Sequence, residues 1–201
     1  MFDVSKGTRF FVCGAMTQGL PHFQKIEPQV LRIQPAQIQA AAYRLKVGFP
    51  VLIEGGTDMV KGEFITLNGD NALELMDQLN GFLPENLEKS LAWRKVAIIQ
   101  TESGFTDAWV YFINPKYLPK DATMIDRGDW RSSLFRDPAL TDSLSDRQKQ
   151  YIRKLGQIQG RESVDIDMEL YRQLMKLEII VDKGRRLALS KLGHEVYRFL
   201  V

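Results

Sequence analysis

The sequence predicts an α+β fold in which a mixed or antiparallel sheet precedes a smaller, helix-rich module. Three observations carry that reading. Short apolar runs at Phe10–Cys13, Phe49–Ile53, Met59–Leu67, Trp93–Ile99 and Ala108–Ile113 read as strands with few helices between them. Glycine turn signals at Gly55-Gly56 and Gly104 separate neighbouring runs, as in hairpins. Beyond residue 143 the apolar spacing changes to a helical period.

The elements follow in order. Phe10, Phe11, Val12 and Cys13 form an unbroken apolar run, the pattern of a strand buried on both faces. Gly14 and Gly19 then release the chain into a loop, because glycine reaches positive φ without a steric penalty. A loop of this kind presents backbone N–H groups that suit an anion, and it reads equally as a plain turn after a core strand. Leu20-Pro21-His22-Phe23 opens a short helical or irregular segment ending before Pro35. Ala40 to Leu45 reads as a strand with Ala41, Tyr43 and Leu45 on one face. Phe49–Ile53 follows as another, and strand character resumes at Met59 after the Gly55-Gly56 turn. Asp70 or Asn71 caps a helix whose stripe of Leu73, Met76, Asp77, Leu79 and Asn80 runs to a stop at Gly81. Trp93–Ile99 and Ala108–Ile113 form a hairpin around Gly104, and Pro115 to Asp129 is loop-rich.

Residues 132–143 lack periodicity and read as a linker between a domain of residues 1–131 and a second of residues 144–201. Ser145 caps a helix carrying Tyr151, Ile152, Leu155 and Ile158, with a stop at Gly160. A second helix from about Asp167 is expected to bury Met168, Tyr171, Leu174 and Met175. Ile179–Val181 and Leu187–Leu189 flank a hairpin tip with Lys183, Arg185 and Arg186, and Ser190 caps a last helix with Val196, Phe199 and Leu200 on its apolar side. Helix, helix, basic hairpin, helix is the element order of a winged-helix-like module. In such a module Lys183, Arg185 and Arg186 suit DNA phosphates, and Arg172 and Lys176 face solvent on the second helix. Asp165, Asp167 and Glu169 oppose this by placing negative charge at the helix start that would approach the duplex. Packing or dimerisation, DNA contact and protein contact all stay open for these residues.

Composition narrows the classes. With 44% hydrophobic and 26% charged residues in 201, the chain has the material for a sizeable core in one domain or two small ones. A net charge of +2 makes no case for nucleic acid over the whole chain. Residues 144–201, however, hold 12 Lys/Arg against 8 Asp/Glu, so a polyanion partner is allowed there. Cys13 stands alone, which excludes an intramolecular disulfide and suits a reducing cytosol; its apolar surroundings predict an inert buried thiol. His22 and His194 with one cysteine make no zinc site of the usual kind, and no metal or cofactor is expected. No run approaches the ~20 apolar residues of a membrane helix, and the early charges Asp3, Lys6 and Arg9 do not suit a signal peptide, so a cytoplasmic protein is expected.

The Gly14 to Gly19 spacing is that of a phosphate loop, but Leu20-Pro21 stands where Lys-Ser/Thr is required to reach phosphate and magnesium. A dinucleotide fingerprint lacks both its third glycine and its acidic residue. Cys13-Gly14-Ala15-Met16 instead resembles the Tyr-Gly-Ser/Thr-Leu loop of the γ-glutamylcyclotransferase-like (AIG2-like) family. The resemblance continues through Tyr43-Arg44-Leu45, Gly48-Phe49-Pro50 and Val60-Lys61-Gly62-Glu63-Phe64. Leu75-Met76-Asp77-Gln78-Leu79-Asn80-Gly81-Phe82 resembles the family's Leu-Asp-x-Leu-Glu-Gly-Tyr/Phe block. Ala108-Trp109-Val110-Tyr111 is similar to its last core strand, and Gly128-Asp129-Trp130 to its terminal Gly-Asp-Trp. The resemblance covers residues 9–131 and implies a mixed β-barrel with flanking helices.

It also implies a site. In the family the loop amides hold the amino-acid end of a γ-glutamyl substrate, which maps binding onto Cys13, Gly14, Ala15 and Met16. A glutamate moves the proton as the α-amine attacks its own side-chain carbonyl and releases 5-oxoproline. That position is Asn80 here, and an amide has no titratable proton near neutral pH. Catalysis is therefore expected to be impaired or altered, with Asp77, one helical turn earlier, as the candidate substitute. The expected protein binds a γ-glutamyl or similar amino-acid-like molecule; the alternative is a ligand-sensing regulator or adaptor acting through residues 144–201. Val12 to Met16 with Gly19-Leu20-Pro21 and Tyr43-Arg44-Leu45 also resembles the C-terminal domain of allophanate hydrolase, in which a histidine is important. His22 follows the Gly-Leu-Pro here, and the amidase-type Ser-Ser-Lys domain is absent.

Overall fold

The computed structural model describes residues 7–158, 162–184 and 186–201. It divides into two units, one of residues up to Leu45 with Phe49–Arg136, the other of Lys46–Gly48 with Asp137–Val201.

The first unit is built on β1 (Thr8–Val12), β2 (Val30–Arg44), β3 (Pro50–Leu67), β4 (Ala92–Thr101), β5 (Gly104–Ile113) and the short β6 (Thr123–Met124). The strand order is β3-β1-β5-β4-β2-β6, and β2 also pairs with β3, so the first five strands close into a ring. Within the ring β1 and β5 are parallel and the other pairs antiparallel. This is a mixed barrel, as the family resemblance implies, and closure removes most of the free edges a sheet of this size would expose.

Alternation along the strands sorts side chains to two cores. Phe11, Ala36, Ile38, Ala40, Ala42, Leu52, Val60, Phe64, Ile99, Ala108, Val110 and Phe112 come from all five strands and fill the barrel. Four of those twelve are alanines, small side chains that suit the narrow interior five strands enclose. Phe10, Val12, Ile65, Leu67 and Tyr111 point the other way and pack with Ala72 and Met76 of α2 (Ala72–Asn80). Both faces of β1 are thus buried. The helix ends at Gly81 in left-handed geometry (φ 65°), and the β4–β5 hairpin turns at Thr101–Gly104.

Two sequence signals mean something different in three dimensions. Gly55-Gly56 is not a turn: β3 runs straight through it. Opposite it the pairing jumps from Ala40↔Asp58 to Ala41↔Ile53, so the glycines sit in a bulge. A Cβ on Gly56 would lie 2.1 Å from the Ala41 nitrogen, which explains the residue type better than any turn does. Pro35 likewise does not end a segment. The strand begins at Val30, after α1 (Phe23–Ile26) and a 3-10 turn, and continues through Pro35. Pairing of β2 with β4 covers only Ala36 and Gln37, so Pro35 lies outside that ladder, where a missing N–H is tolerated.

The stretch 132–143 is largely helical, within α3 (Trp130–Arg136) and α4 (Leu140–Ser143). The second unit continues with α5 (Asp146–Gln157), α6 (Met168–Lys176), the hairpin β7 (Ile180–Asp182) and β8 (Leu187–Leu189), and α7 (Lys191–Leu200). Ser145 closes a full capping box with Gln148, and Asp167 caps α6 through the Glu169 and Leu170 amides. The buried face of α6 is Leu170 and Leu174; Met168, expected inside, is 61% exposed. The i, i+4 leucine pair sets the helix rotation, and Met168 falls in the first turn off that stripe. The predicted stop at Gly160 lies outside the described residues. No helix among the described residues is long and apolar enough to cross a membrane.

Candidate functional site

Cys13 follows β1 and caps one 3-10 turn formed by Gly14, Ala15 and Met16. Gly14 has φ 67°, the region that favours glycine, and its carbonyl accepts from both the amide (3.0 Å) and the hydroxyl (2.8 Å) of Thr17. Gly14, Ala15 and Thr17 are buried, so the turn is a fixed feature of the core edge. The Cys13 thiol packs against the barrel core, and burial pushes its pKa up to about 12. A thiol with that pKa is protonated at neutral pH and is a poor nucleophile. Thiol-specific alkylation at pH 8 is expected to label Cys13 in the unfolded chain and to leave it unlabelled over the same minutes in the folded one; equal labelling in both states would overturn the assignment.

The last turn of α2 faces this loop. Asn80 Nδ2 donates to the Met76 carbonyl at 2.8 Å and approaches the Met16 sulfur at 3.8 Å. Chain segments 64 residues apart thereby meet at the position where the family resemblance calls for a glutamate. Asp77, one turn earlier, is already engaged through both oxygens: Oδ1 accepts from the Tyr111 hydroxyl at 2.6 Å and Oδ2 from Arg94 Nη1 at 2.5 Å. The Arg94 guanidinium lies 4.9 Å from the ring centres of both Phe82 and Trp109, held between two aromatic faces. Burial and then the bond to Asp77 raise the Tyr111 pKa, so its hydroxyl stays a donor. The arrangement is a neutralised, half-buried clamp that ties the end of α2 to β4 and β5.

Arg94 carries no signal that sequence reading picks out. It is an ordinary basic residue on a strand, and only the pairing Arg94↔Tyr111 across the hairpin places it against Asp77. Tyr111 and Phe82 lie in segments that resemble the family, without a role attached to them there. His22, the residue weighed for the second resemblance, is buried just before α1, with its amide on the Ala15 carbonyl at 2.9 Å. A separate cleft of about 960 Å³ opens beside β2, β3 and the end of β4, and its lining includes neither Asn80 nor residues 13–16.

A family model described as gamma-glutamyl cyclotransferase, AIG2-like, matches residues 10–132. The chain belongs to that family. Solved structures similar to this family member include YkqA from Bacillus subtilis, at 16% identity and TM-score 0.48, over 64% of this chain and 41% of that one. This chain thus spans about two fifths of YkqA. An AIG2-like protein from Mus musculus is similar at 16% identity and TM-score 0.45, over 56% of this chain and 80% of that one. Allophanate hydrolase from Kluyveromyces lactis is similar at 20% identity and TM-score 0.41, over 59% of this chain and 19% of that one. No curated protein matches.

In the second unit Lys183 and Arg186 are exposed at the β7–β8 tip, where the Lys183 amide donates to the Arg186 carbonyl at 3.0 Å; Arg185 lies outside the described residues. Arg172 and Lys176 are exposed on α6. Asp167, at the start of that helix, is also ion-paired with Arg147.

Proposed function

We propose that this family member binds a γ-glutamyl or similar amino-acid-like molecule at the Gly14–Met16 turn and does not carry out the family's 5-oxoproline-forming reaction at an appreciable rate. One observation carries the reading: the side chain that meets the loop from α2 is the amide of Asn80, turned back onto the Met76 carbonyl. Proton transfer in the cyclisation needs a titratable group at that place. The nearest carboxylate in sequence, Asp77, accepts two strong hydrogen bonds from Arg94 and Tyr111 and has no reason to leave them. The turn amides would hold the ligand's carboxylate-bearing end, with Met16 as an apolar wall, while Asp77 positions the helix end.

The test pairs calorimetry with product analysis. A γ-glutamyl dipeptide is expected to bind with measurable heat while 5-oxoproline stays at the uncatalysed background. Asn80→Glu is expected to raise 5-oxoproline release at least tenfold, within the ~10²–10⁴ typical of general acid–base groups. Rapid 5-oxoproline release by the unaltered protein would overturn the catalytic half of the proposal, and absence of binding would overturn the other.

A further inference from the structure

The separate cleft carries chemistry that the loop site does not use. It lies where β2 separates from β4 and is lined by Gln18, Gln34, Gln37, Gln100, Glu63 and Arg131, among others. Glu63 is the least exposed charged side chain of the ion pairs found there, at 14%. Its two oxygens are fixed from different directions: Oε2 accepts the Gln18 amide at 2.8 Å, and Oε1 accepts from Arg131 Nη2 at 3.1 Å. Arg131 is itself held, its guanidinium 4.9 Å from the ring centre of Trp130, a fully buried residue whose indole N–H donates to the Lys61 carbonyl at 2.7 Å.

A fixed carboxylate and a fixed guanidinium therefore stand side by side at the wall of one cavity. Neither is saturated. A carboxylate accepts about four hydrogen bonds and a guanidinium donates five, and the contacts above use two of the first and one of the second. Lys61, the other cation of the lining, is engaged by Asp129 at 3.3 Å. With Glu102 the lining holds two acids and two bases, so it presents no net charge to a ligand. Its remaining polar groups are chiefly carboxamides, and no aromatic ring is among the lining residues to stack a sugar or a base.

We propose that this cleft is a second binding site, for a free α-amino acid with an uncharged polar side chain. An α-amino acid carries an ammonium and a carboxylate a few ångströms apart, the spacing of the Glu63–Arg131 pair. Glu63 takes the ammonium, Arg131 takes the carboxylate in its open fork, and the side chain lies among Gln34, Gln37 and Gln100, which donate and accept as a carboxamide does. The site shares Gln18 with the end of the loop but includes neither Cys13–Met16 nor Asn80.

L-Glutamine is the probe, titrated calorimetrically into the full chain beside two analogues that each lack one charge, N-acetyl-L-glutamine and L-glutamine amide. Submillimolar binding of glutamine is expected, with both analogues at least tenfold weaker. Glu63→Gln and Arg131→Gln, checked for native circular dichroism, are each expected to weaken glutamine at least tenfold. Should either variant misfold, the unaltered protein decides: in ¹⁵N–¹H spectra glutamine is expected to shift the Gln18 and Gln100 amides and to leave Ala15, Met16 and Asn80 in place. No glutamine heat, equal binding of the analogues, or a motionless Gln18 amide would each overturn the proposal. A γ-glutamyl dipeptide that shifts Ala15 and Met16 reports the loop site separately, so either site can fail without the other.

Discussion

Trp130→Ala is expected to destabilise the barrel unit by about 4 kcal/mol, the usual cost of truncating a buried tryptophan. Trp130 is fully buried within the barrel core, and its indole N–H reaches the Lys61 carbonyl of β3 at 2.7 Å. Removal leaves a cavity and takes the donor from the part-buried Lys61 carbonyl. Gly128 brings the chain close enough to make this contact: a Cβ there would lie 2.7 Å from Val60 Cα. The Gly-Asp-Trp segment therefore acts as a plug, with glycine setting the approach and tryptophan filling the interior. Denaturant titration followed by circular dichroism measures the effect, and a loss under about 1 kcal/mol would show that the barrel is filled without it. Trp130→Phe keeps most of the volume and loses the donor, so it is expected to fall between the two. In Trp130→Ala the guanidinium of Arg131 also loses its aromatic support.

The second large effect belongs to Asp77. Replacement by alanine is expected to cost about 3 kcal/mol, because it strands the Arg94 guanidinium and the Tyr111 hydroxyl in a half-buried site without their acceptor. Asp77→Asn retains shape and one acceptor and is expected to cost less, roughly 1–2 kcal/mol, the scale of a hydrogen bond to a charged group. Double replacement of Asp77 and Arg94 by apolar residues is expected to be less harmful than the sum of the single changes, since the stranded charge is gone. A strictly additive double-mutant cycle would show that the clamp contributes nothing as a pair. These measurements also separate positioning from catalysis. A role for Asp77 as proton carrier predicts 5-oxoproline release that Asp77→Asn abolishes at unchanged stability, which the clamp does not predict.

Much of the barrel could be read from the chain because its strands advertise themselves. Phe10 to Cys13 is continuous and apolar, and the structure buries both faces of that strand. The α2 stop at Gly81 and the β4–β5 hairpin were legible for the same local reasons, a cap and a turn. What local reading missed depends on partners far away. Gly55-Gly56 has the composition of a turn, and only the approach of Ala40 and Ala41 across the sheet makes it a bulge. Pro35 would end most strands, and it survives here because β4 joins β2 one residue later. At the candidate site, Asn80 and the loop could be paired through resemblance, whereas Arg94 against Asp77 and Arg131 against Glu63 join residues 17 and 68 positions apart with no spacing rule to reveal them.

The parallel contact between β1 and β5 has a consequence for how the protein is made. Phe10 pairs across to Trp109, so the strand synthesised first waits for about 100 further residues before its last neighbour exists. At the ~5–20 residues per second of translation, that is an interval of about 5–20 s. For that time Phe10, Phe11 and Val12 form an apolar strand with an open edge, the kind of segment that chaperones recognise and aggregates recruit. The β2–β3 and β4–β5 hairpins pair neighbours in sequence and need no such wait. Ring closure is thus a late event gated by sequence distance, and slowing synthesis between β3 and β5 is expected to lower the yield of folded protein more than slowing it after residue 113.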